Sequence, residues 1–124
     1  VQETNGLIDA LREGLNVESF ELLRKRLGWT RSQMAEVLHI PERTLVRRFE
    51  EGRLKSEESQ RLLRLARVVS SGEMLFARSG KLGIWLLEPA RALGDNRPVD
   101  YFDTDVGAEE VEDLLGRLAH GVIT

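Results

Sequence analysis

Three arginines and one threonine stand close together between residues 43 and 48. Arg43 and Arg47 are four positions apart, as are Thr44 and Arg48, so the members of each pair would lie one turn apart on a helix. Guanidinium groups can donate hydrogen bonds to guanine edges or phosphates, and a threonine can contact a thymine methyl group or a phosphate. Two like charges one turn apart destabilise a helix unless an anion binds them. The spacing therefore predicts DNA binding. The alternative is a solvated helix whose arginines pair with neighbouring carboxylates: Glu42, Glu50 and Glu51.

The segment 30–49 has the pattern of a helix-turn-helix that would position these arginines. Small or apolar side chains stand where the two helices must pack together: Ala35, Leu38, Ile40 and Leu45. Thr30 is expected to cap the first helix with Gln33 at the capping-box position, and Pro41 fits the first turn of the second. His39 replaces the usual glycine of the turn, and histidine tolerates a positive φ better than most residues. The predicted DNA-binding residues are Arg31, Ser32, Arg43, Thr44, Arg47 and Arg48.

The charge is distributed unevenly along the chain, although the net charge is only −3. Twelve basic and six acidic residues lie between Arg24 and Arg67, whereas five basic and ten acidic residues follow Ser71. A basic region attracts phosphates in a salt-dependent manner. An acidic region repels DNA and suits a protein partner. We therefore expect two functions, one in each half.

The chain of 124 residues is long enough for a small DNA-binding module with a compact extension. Its apolar residues repeat at helical spacing without a strong strand pattern, which predicts an all-α fold. The predicted division is a helix-turn-helix module at residues 1–70 and a second helical module at 71–124, joined at the turn-like residues 70–72. The predicted helices are 6–15, 17–27, 30–38, the recognition helix up to Glu51, one capped by Ser56, then 73–78, 81–87 and 108–120, with a loop at 93–104. Gly28 is expected to end the helix 17–27 in the left-handed conformation, and Gly52 to end the recognition helix.

Catalytic and metal-binding arrangements are not expected. The absence of cysteine excludes disulfides, thiol catalysis and cysteine-based zinc sites. His39 is expected to be a turn residue and His120 a cap of the last helix, without partners for a catalytic triad. Asp100, Asp103 and Asp105 lack the glycine and distal glutamate of a calcium loop, so an aspartate or threonine just before the last helix is expected to be a cap. We predict a protein that is not an enzyme and carries no metal or cofactor.

Targeting signals are also not expected. No apolar run approaches the length of a membrane span, and the first residues do not resemble a signal peptide. A cytoplasmic location in a bacterial cell, without a membrane partner, is the resulting expectation.

The second half has its apolar centre at Trp85, Leu86, Leu87 and Pro89. Trp85 itself is expected to be a core residue. A region of roughly fifty residues makes a poor core alone, so it should pack on the first half, dimerise or bind a partner. Trp85 and Pro89 are therefore included among the predicted partner-binding residues.

With these residues in view, the chain resembles the Xre-type antitoxins of bacterial toxin–antitoxin pairs, the ParS/MbcA-like family whose partners are RES-domain toxins. The resemblance is nearly full length and is carried by residues 27–48, 50–68 and 83–122. The third block is the most specific, with Trp85, Leu86 and Pro89 followed by Leu93-Gly94, Pro98, Asp103-Thr104 and Gly107-Ala108. The chain departs from the common pattern at Gly83, where alanine is usual, and at Ala90, where asparagine is usual.

The resemblance implies a two-module antitoxin. Its helix-turn-helix would bind operator DNA upstream of its own operon, and a homodimer would match two inverted half-sites about one DNA turn apart. Its C-terminal module would neutralise a RES-domain toxin that degrades NAD⁺ by covering the toxin's active-site cleft. The C-terminal end reaches that cleft in the family, which here means His120, Gly121, Val122, Ile123 and Thr124. NAD⁺ would belong to the toxin.

The sequence leaves other classes of function open. The main alternative is a stand-alone dimeric transcription regulator whose C-terminal half only oligomerises. A protein-interaction module without DNA binding would suit the acidic net charge, and a salt-dependent shift of operator DNA would exclude it. An enzyme is the weakest candidate, because the sequence shows no nucleophile–base pair or metal-ligand set.

Overall fold

The structure, a computed structural model, describes residues 12–76 and 80–121. These residues form α-helices and short 3-10 turns without a β-strand, so the predicted all-α fold is confirmed. The helices are α1 (Val17–Leu27), α2 (Arg31–Val37), α3 (Glu42–Glu51), α4 (Ser56–Phe76), α5 (Leu82–Leu87) and α6 (Asp105–Ala119). Most of the helix predicted at 6–15 lies outside the described residues. Arg12 and Glu13, which belong to that segment and are described, are helical. No described helix is both long enough and apolar enough to cross a membrane.

Local capping signals account for the ends of α1 and α2. The Asn16 side chain accepts a hydrogen bond from the amide of Glu18, and Gly28 ends α1 in the left-handed conformation at φ 74°. Thr30 and Gln33 form the reciprocal hydrogen bonds of a capping box at the start of α2, as predicted. These caps satisfy amides that no residue of the helix itself can pair.

The turn between α2 and α3 follows the helix-turn-helix expectation. His39 adopts a positive φ of 59°, so a histidine does occupy the left-handed position of this turn. The Ile40 amide donates to the Ala35 carbonyl at 2.8 Å, and Ile40 itself is buried. Pro41 is the N-cap of α3, one residue before its first helical position. Gly52 ends α3 at φ 82°, as predicted.

Helix α4 corrects two predictions. Ser56 was predicted to be the N-cap of this helix, but it is the first helical residue. The amide of the preceding residue, Lys55, donates a hydrogen bond to Glu58 Oε1 at 2.7 Å. The sequence also predicted a turn at residues 70–72, and this is wrong, because these residues are helical and α4 continues through them to Phe76. Gly72 suits this position in the helix because any larger residue would be crowded: a Cβ would stand only 2.9 Å from Leu82 Cδ1. The glycine that suggested a break in the helix therefore lies where α4 packs closely against Leu82.

Two compact units divide the chain, Val1–Leu63 and Arg64–Thr124, with the boundary inside α4. The sequence predicted a division after residue 70, which remains a prediction. Buried apolar residues of the first unit include Phe20, Leu23, Leu27, Trp29, Met34, Leu38, Ile40 and Leu45. Those of the second include Leu65, Val68, Leu82, Leu86, Phe102, Val111, Leu114 and Leu115. Each unit therefore has its own buried residues.

The second unit contains α5, two 3-10 turns at Arg91–Leu93 and Pro98–Tyr101, and α6. Thr104 caps α6 by accepting a hydrogen bond from the Gly107 amide at 3.0 Å, so the helix begins at Asp105, before the predicted residue 108. Asp105 accepts a hydrogen bond from Arg64 at 2.9 Å, which lowers the pKa of its carboxyl. The predicted loop 93–104 includes the second 3-10 turn. Thr104, the last residue of that loop, is the N-cap of α6, and Asp105 is the first helical residue.

Two glycines of α6 provide a matched stability test. A Cβ on Gly107 would stand 2.1 Å from the Tyr101 carbonyl oxygen, which is backbone and cannot move aside cheaply, whereas Gly116 has nothing within 4 Å. We expect Gly107→Ala to lower the free energy of unfolding by about 2 kcal/mol or more. Gly116→Ala should raise it by about 0.5–1 kcal/mol, because alanine is the better helix former. Urea denaturation of both variants measures the difference, and equal stability would contradict the close contact.

Candidate functional site

Helix α3 presents two arginines to solvent. Arg43 and Arg47 are exposed, and neither forms an ion pair or a side-chain hydrogen bond with any residue in the described part of the chain. The alternative in which these arginines are neutralised by neighbouring carboxylates therefore does not hold for these two. Their charges remain available for phosphates or guanine edges. Thr44, which was predicted to face outward with them, is only half-exposed.

The prediction for Arg48 is wrong: it was expected to face outward on α3, but its side chain is buried. It is 8% exposed and donates from Nε and Nη2 to the carboxylate of Glu58, at 2.8 and 3.1 Å. Burial raises the pKa of Glu58, but the hydrogen bonds from Arg48 and from the Lys55 amide outweigh it and hold that pKa below its ordinary value. The pair fixes the end of α3 to the start of α4. Arg48 therefore stabilises α3 and does not lie on its outward surface.

Arg31 and Ser32, in the first turn of α2, also have partners within the fold. Arg31 donates to Glu21 at 3.0 Å, and its guanidinium stands 4.4 Å from the centre of the Phe49 ring. Hydrogen bonds from Arg24, with those from Arg31, lower the pKa of Glu21 to about 2. Ser32 Oγ donates to the Glu42 carboxylate of α3. Both residues therefore lie beside α3.

The Arg48–Glu58 pair gives a stability prediction. Replacing Arg48 by alanine leaves a buried carboxylate without its main partner, which should cost about 3 kcal/mol of unfolding free energy. Arg43→Ala removes the same group from an exposed position of the same helix and should change stability by less than about 0.5 kcal/mol. Urea denaturation at neutral pH compares the two. Similar losses would contradict a structural role for Arg48.

The pH dependence of this pair has a definite sign. The folded-state pKa of Glu58 lies below the ordinary value of 4.5, so its contribution is fully present above that pH and is lost as the pH falls through the folded-state pKa. The stability difference between the parent chain and Glu58→Gln should therefore shrink on acidification below about 4.5. A difference that grows on acidification would contradict this assignment.

A second candidate surface lies around α5. Phe76, Lys81, Ile84, Trp85 and Glu88 line a concavity of about 440 Å³. The rings of Phe76 and Trp85 are tilted with their centres 6.0 Å apart, and Ile84 is 55% exposed. Trp85 is only half-buried, so it is not the fully enclosed core residue that the sequence favoured. An open apolar groove with one basic and one acidic residue at its rim suits a protein partner.

The remaining predicted partner-binding residues are dispersed. Pro89 is exposed just after α5. His120 caps α6 as predicted, and the exposed Gly121 follows it at φ 75°. Val122, Ile123 and Thr124 lie outside the described residues. No hydrogen bond or ring contact recorded for residues 80–121 joins the α5 residues to those at the end of α6.

Several residues of these two surfaces were not predicted from the sequence. Phe76 and Ile84 are not among the predicted partner-binding residues, because apolar character alone does not distinguish the buried from the exposed side of a short helix. Val46, which is 61% exposed on α3, was also not included. Glu42, which contacts Ser32, was expected to face outward but is not among the predicted DNA-binding residues. No group of acidic or histidine side chains within 12–76 and 80–121 is arranged to hold a metal ion.

Two family models match the chain, one in each half. Residues 6–67 match the model described as the antitoxin Xre-like helix-turn-helix domain. Residues 71–121 match the antitoxin Xre/MbcA/ParS C-terminal toxin-binding domain. The two matches place a DNA-binding motif before a toxin-binding region.

Curated relatives extend over most of the chain. A protein named Antitoxin Xre from Yersinia enterocolitica is 37% identical over 120 residues, which cover 95% of this chain and 81% of the relative. A second Antitoxin Xre, from Photorhabdus laumondii, is 31% identical and covers 92% of this chain and 78% of the relative. A Sphingobium protein named Prs ADP-ribosylating antitoxin is 26% identical, with coverage of 92% and 78%.

Proposed function

The chain belongs to the family of Xre-type antitoxins, and from this premise we propose that it neutralises a RES-domain toxin that degrades NAD⁺ and represses its own operon. It is an antitoxin with a helix-turn-helix domain and a toxin-binding domain, in a family that is not an enzyme family. The toxin class, the mode of inhibition and autorepression are the proposed parts. The observation that carries the proposal is the toxin-binding domain match over residues 71–121, in which Trp85 and Ile84 form an open apolar groove.

Charge supports a partner that binds NAD⁺. The chain has ten acidic and five basic residues after Ser71. A toxin cleft that accommodates a diphosphate is expected to be electropositive, so an acidic region would be attracted to it. The name of the Sphingobium relative includes ADP-ribosylation, a reaction in which NAD⁺ is the donor, and this also favours a toxin whose substrate is NAD⁺.

We propose that the C-terminal half of the chain binds the toxin and that α3 binds the operator. The α5 groove, with Pro89 beside it, would bind the body of the toxin, and residues 120–124 would cover its cleft. The exposed arginines of α3 would bind an operator with inverted half-sites, as a homodimer, so that toxin and antitoxin share one regulated operon.

Co-expression with the neighbouring gene product tests the proposal. If that gene encodes a RES-domain protein, we expect the two proteins to co-purify, and cellular NAD⁺ to fall only when the toxin is produced alone. Operator DNA upstream of the pair should be bound with an affinity that falls with salt. Co-purification without any loss of NAD⁺ in the toxin-only cells would reject the proposed toxin class.

The role of the groove can be tested separately. Ile84→Ser should weaken toxin binding by about 10-fold, because truncating one of the few central anchor residues of an interface costs more than about 1 kcal/mol, and the proposal makes Ile84 such an anchor. Val106→Ser is the matched control, since Val106 is 69% exposed on α6 and does not line the groove. Titration calorimetry with purified toxin measures both affinities. Equal effects of the two substitutions on toxin affinity would show that the groove is not part of the toxin interface.

A further inference from the structure

The outward arc of α3 has two chemically different halves. Arg43 and Arg47 form one half, and the other consists of Glu42, Val46 and Glu50. This second half lines a concavity of about 500 Å³ beside the first turn of α2, with Leu45 and Phe49 as its apolar floor. DNA binding by arginines alone leaves this half without a role. A carboxylate there would repel phosphates and lower the affinity for any DNA.

Glu42 is held in place at the edge of this concavity. It is the first residue of α3, and its Oε1 accepts the hydrogen bond of Ser32 Oγ from the first turn of α2. The first turns of the two helices therefore meet at one end of the motif. No described residue donates to the other oxygen, Oε2, and no ion pair joins Glu42 to Arg43 or Arg47. The carboxylate is thus oriented by one contact and keeps one oxygen able to accept another.

Base chemistry limits what that oxygen can bind in the major groove. Only cytosine N4 and adenine N6 are hydrogen-bond donors there. Adenine also presents the acceptor N7 next to N6, which repels a carboxylate, whereas cytosine presents no acceptor at its major-groove edge. We propose that Glu42, positioned by Ser32, selects a cytosine in each operator half-site. This inference rests on the proposed DNA binding, to which it adds the residue that determines one base.

Val46 is compatible with this assignment. It lies one turn after Glu42 and is 61% exposed, but it offers no donor or acceptor. It therefore does not compete for the carboxylate, and it leaves the approach to Glu42 open to a base edge. Ser32 is a positioning residue in this arrangement, because its hydroxyl contacts Glu42 and would not itself contact the cytosine.

A selection from a random DNA duplex library, with the full chain as the binding protein, identifies the operator sequence and tests the proposal together. The parent chain should enrich sequences with one position in each half-site fixed as cytosine. Glu42→Gln should change that position to adenine, because a glutamine amide can both donate to N7 and accept from N6. Fluorescence anisotropy with four duplexes that differ only there should show a change in the cytosine-to-adenine affinity ratio of about 5- to 150-fold.

Matched variants separate base selection from loss of charge. Glu50→Gln removes the same charge from the same arc of α3 and should leave the preferred base unchanged. Ser32→Ala should reduce the preference for cytosine several-fold without reducing binding to unrelated DNA, and Ser32→Thr, which keeps the hydroxyl, should retain the preference.

Two results would overturn the inference in different ways. If Glu42→Gln strengthens binding to all four duplexes equally, Glu42 only repels phosphates, and the proposed DNA binding stands without it. If the parent chain enriches no sequence and shows no salt-dependent binding, both the inference and the proposed DNA binding fail.

Discussion

Ending the chain after Gly121 will abolish neutralisation of the toxin and leave operator binding unchanged. The proposal places residues 120–124 at the toxin's cleft, so removing the last three of them should reopen the cleft to substrate. The cut retains both hydrogen bonds that end α6, from His120 to Gly116 and from Gly121 to Leu118, each 3.1 Å long. The helix should therefore remain intact, and any loss of function can be assigned to the tail.

Growth of cells that produce the toxin measures this result directly, and an assay of NAD⁺ consumption with purified proteins measures it in vitro. Arg117→Ala, an exposed change in the last turn of α6, is the control and should still rescue growth. We expect the shortened chain to bind the toxin through the groove at α5 but to leave its activity largely intact. If the shortened chain protects cells as well as the full one, the tail does not cover the cleft.

Replacing Arg43 and Arg47 together by alanine will lower operator affinity by about 30- to 10⁴-fold. Each arginine that contacts a guanine edge is worth about 1–3 kcal/mol, and the two losses are expected to add approximately. Both side chains are exposed without an ion pair to a described carboxylate, so the substitutions should not affect folding. Toxin neutralisation should be unchanged, since it depends on the other half of the chain.

The matched control removes two positive charges elsewhere in the first unit. Lys25→Ala with Lys55→Ala changes exposed residues outside α3 and should affect operator and unrelated DNA to the same small extent. Gel shifts at several salt concentrations distinguish the two cases, because lost base contacts reduce specificity while lost phosphate contacts reduce the salt dependence. Loss of affinity that is equal for both DNAs in the Arg43/Arg47 variant would make these residues phosphate contacts.

Much of the helix-turn-helix could be predicted because its signals are local. Thr30 with Gln33, Gly28 and Gly52 define helix ends through contacts within a few residues, and all three were confirmed. His39 in its positive-φ turn was also confirmed, since a side chain that tolerates this conformation can be recognised from its type.

The errors share a different cause, because each depends on residues distant in sequence. Arg48 points inward since its partner Glu58 lies on the next helix, which no pattern within α3 can indicate. Gly72 resembles a joint but is a contact point for Leu82 and Leu115, whose positions depend on the packing of the second unit. The groove around Trp85 was likewise hidden, since exposure of a short apolar helix is determined by what packs beside it.

The contact between Arg48 and Glu58 bears on how the DNA specificity of such a protein could be redesigned. The side chains that face outward on α3 can be exchanged without touching this pair, so under the proposed DNA binding new operator sequences would be accessible by changing Arg43, Val46 and Arg47. Transplanting an entire recognition helix from another regulator would be a different operation. A donor helix without an arginine at position 48 would leave Glu58 buried and unpaired, and that graft would need a neutral residue at position 58 as well.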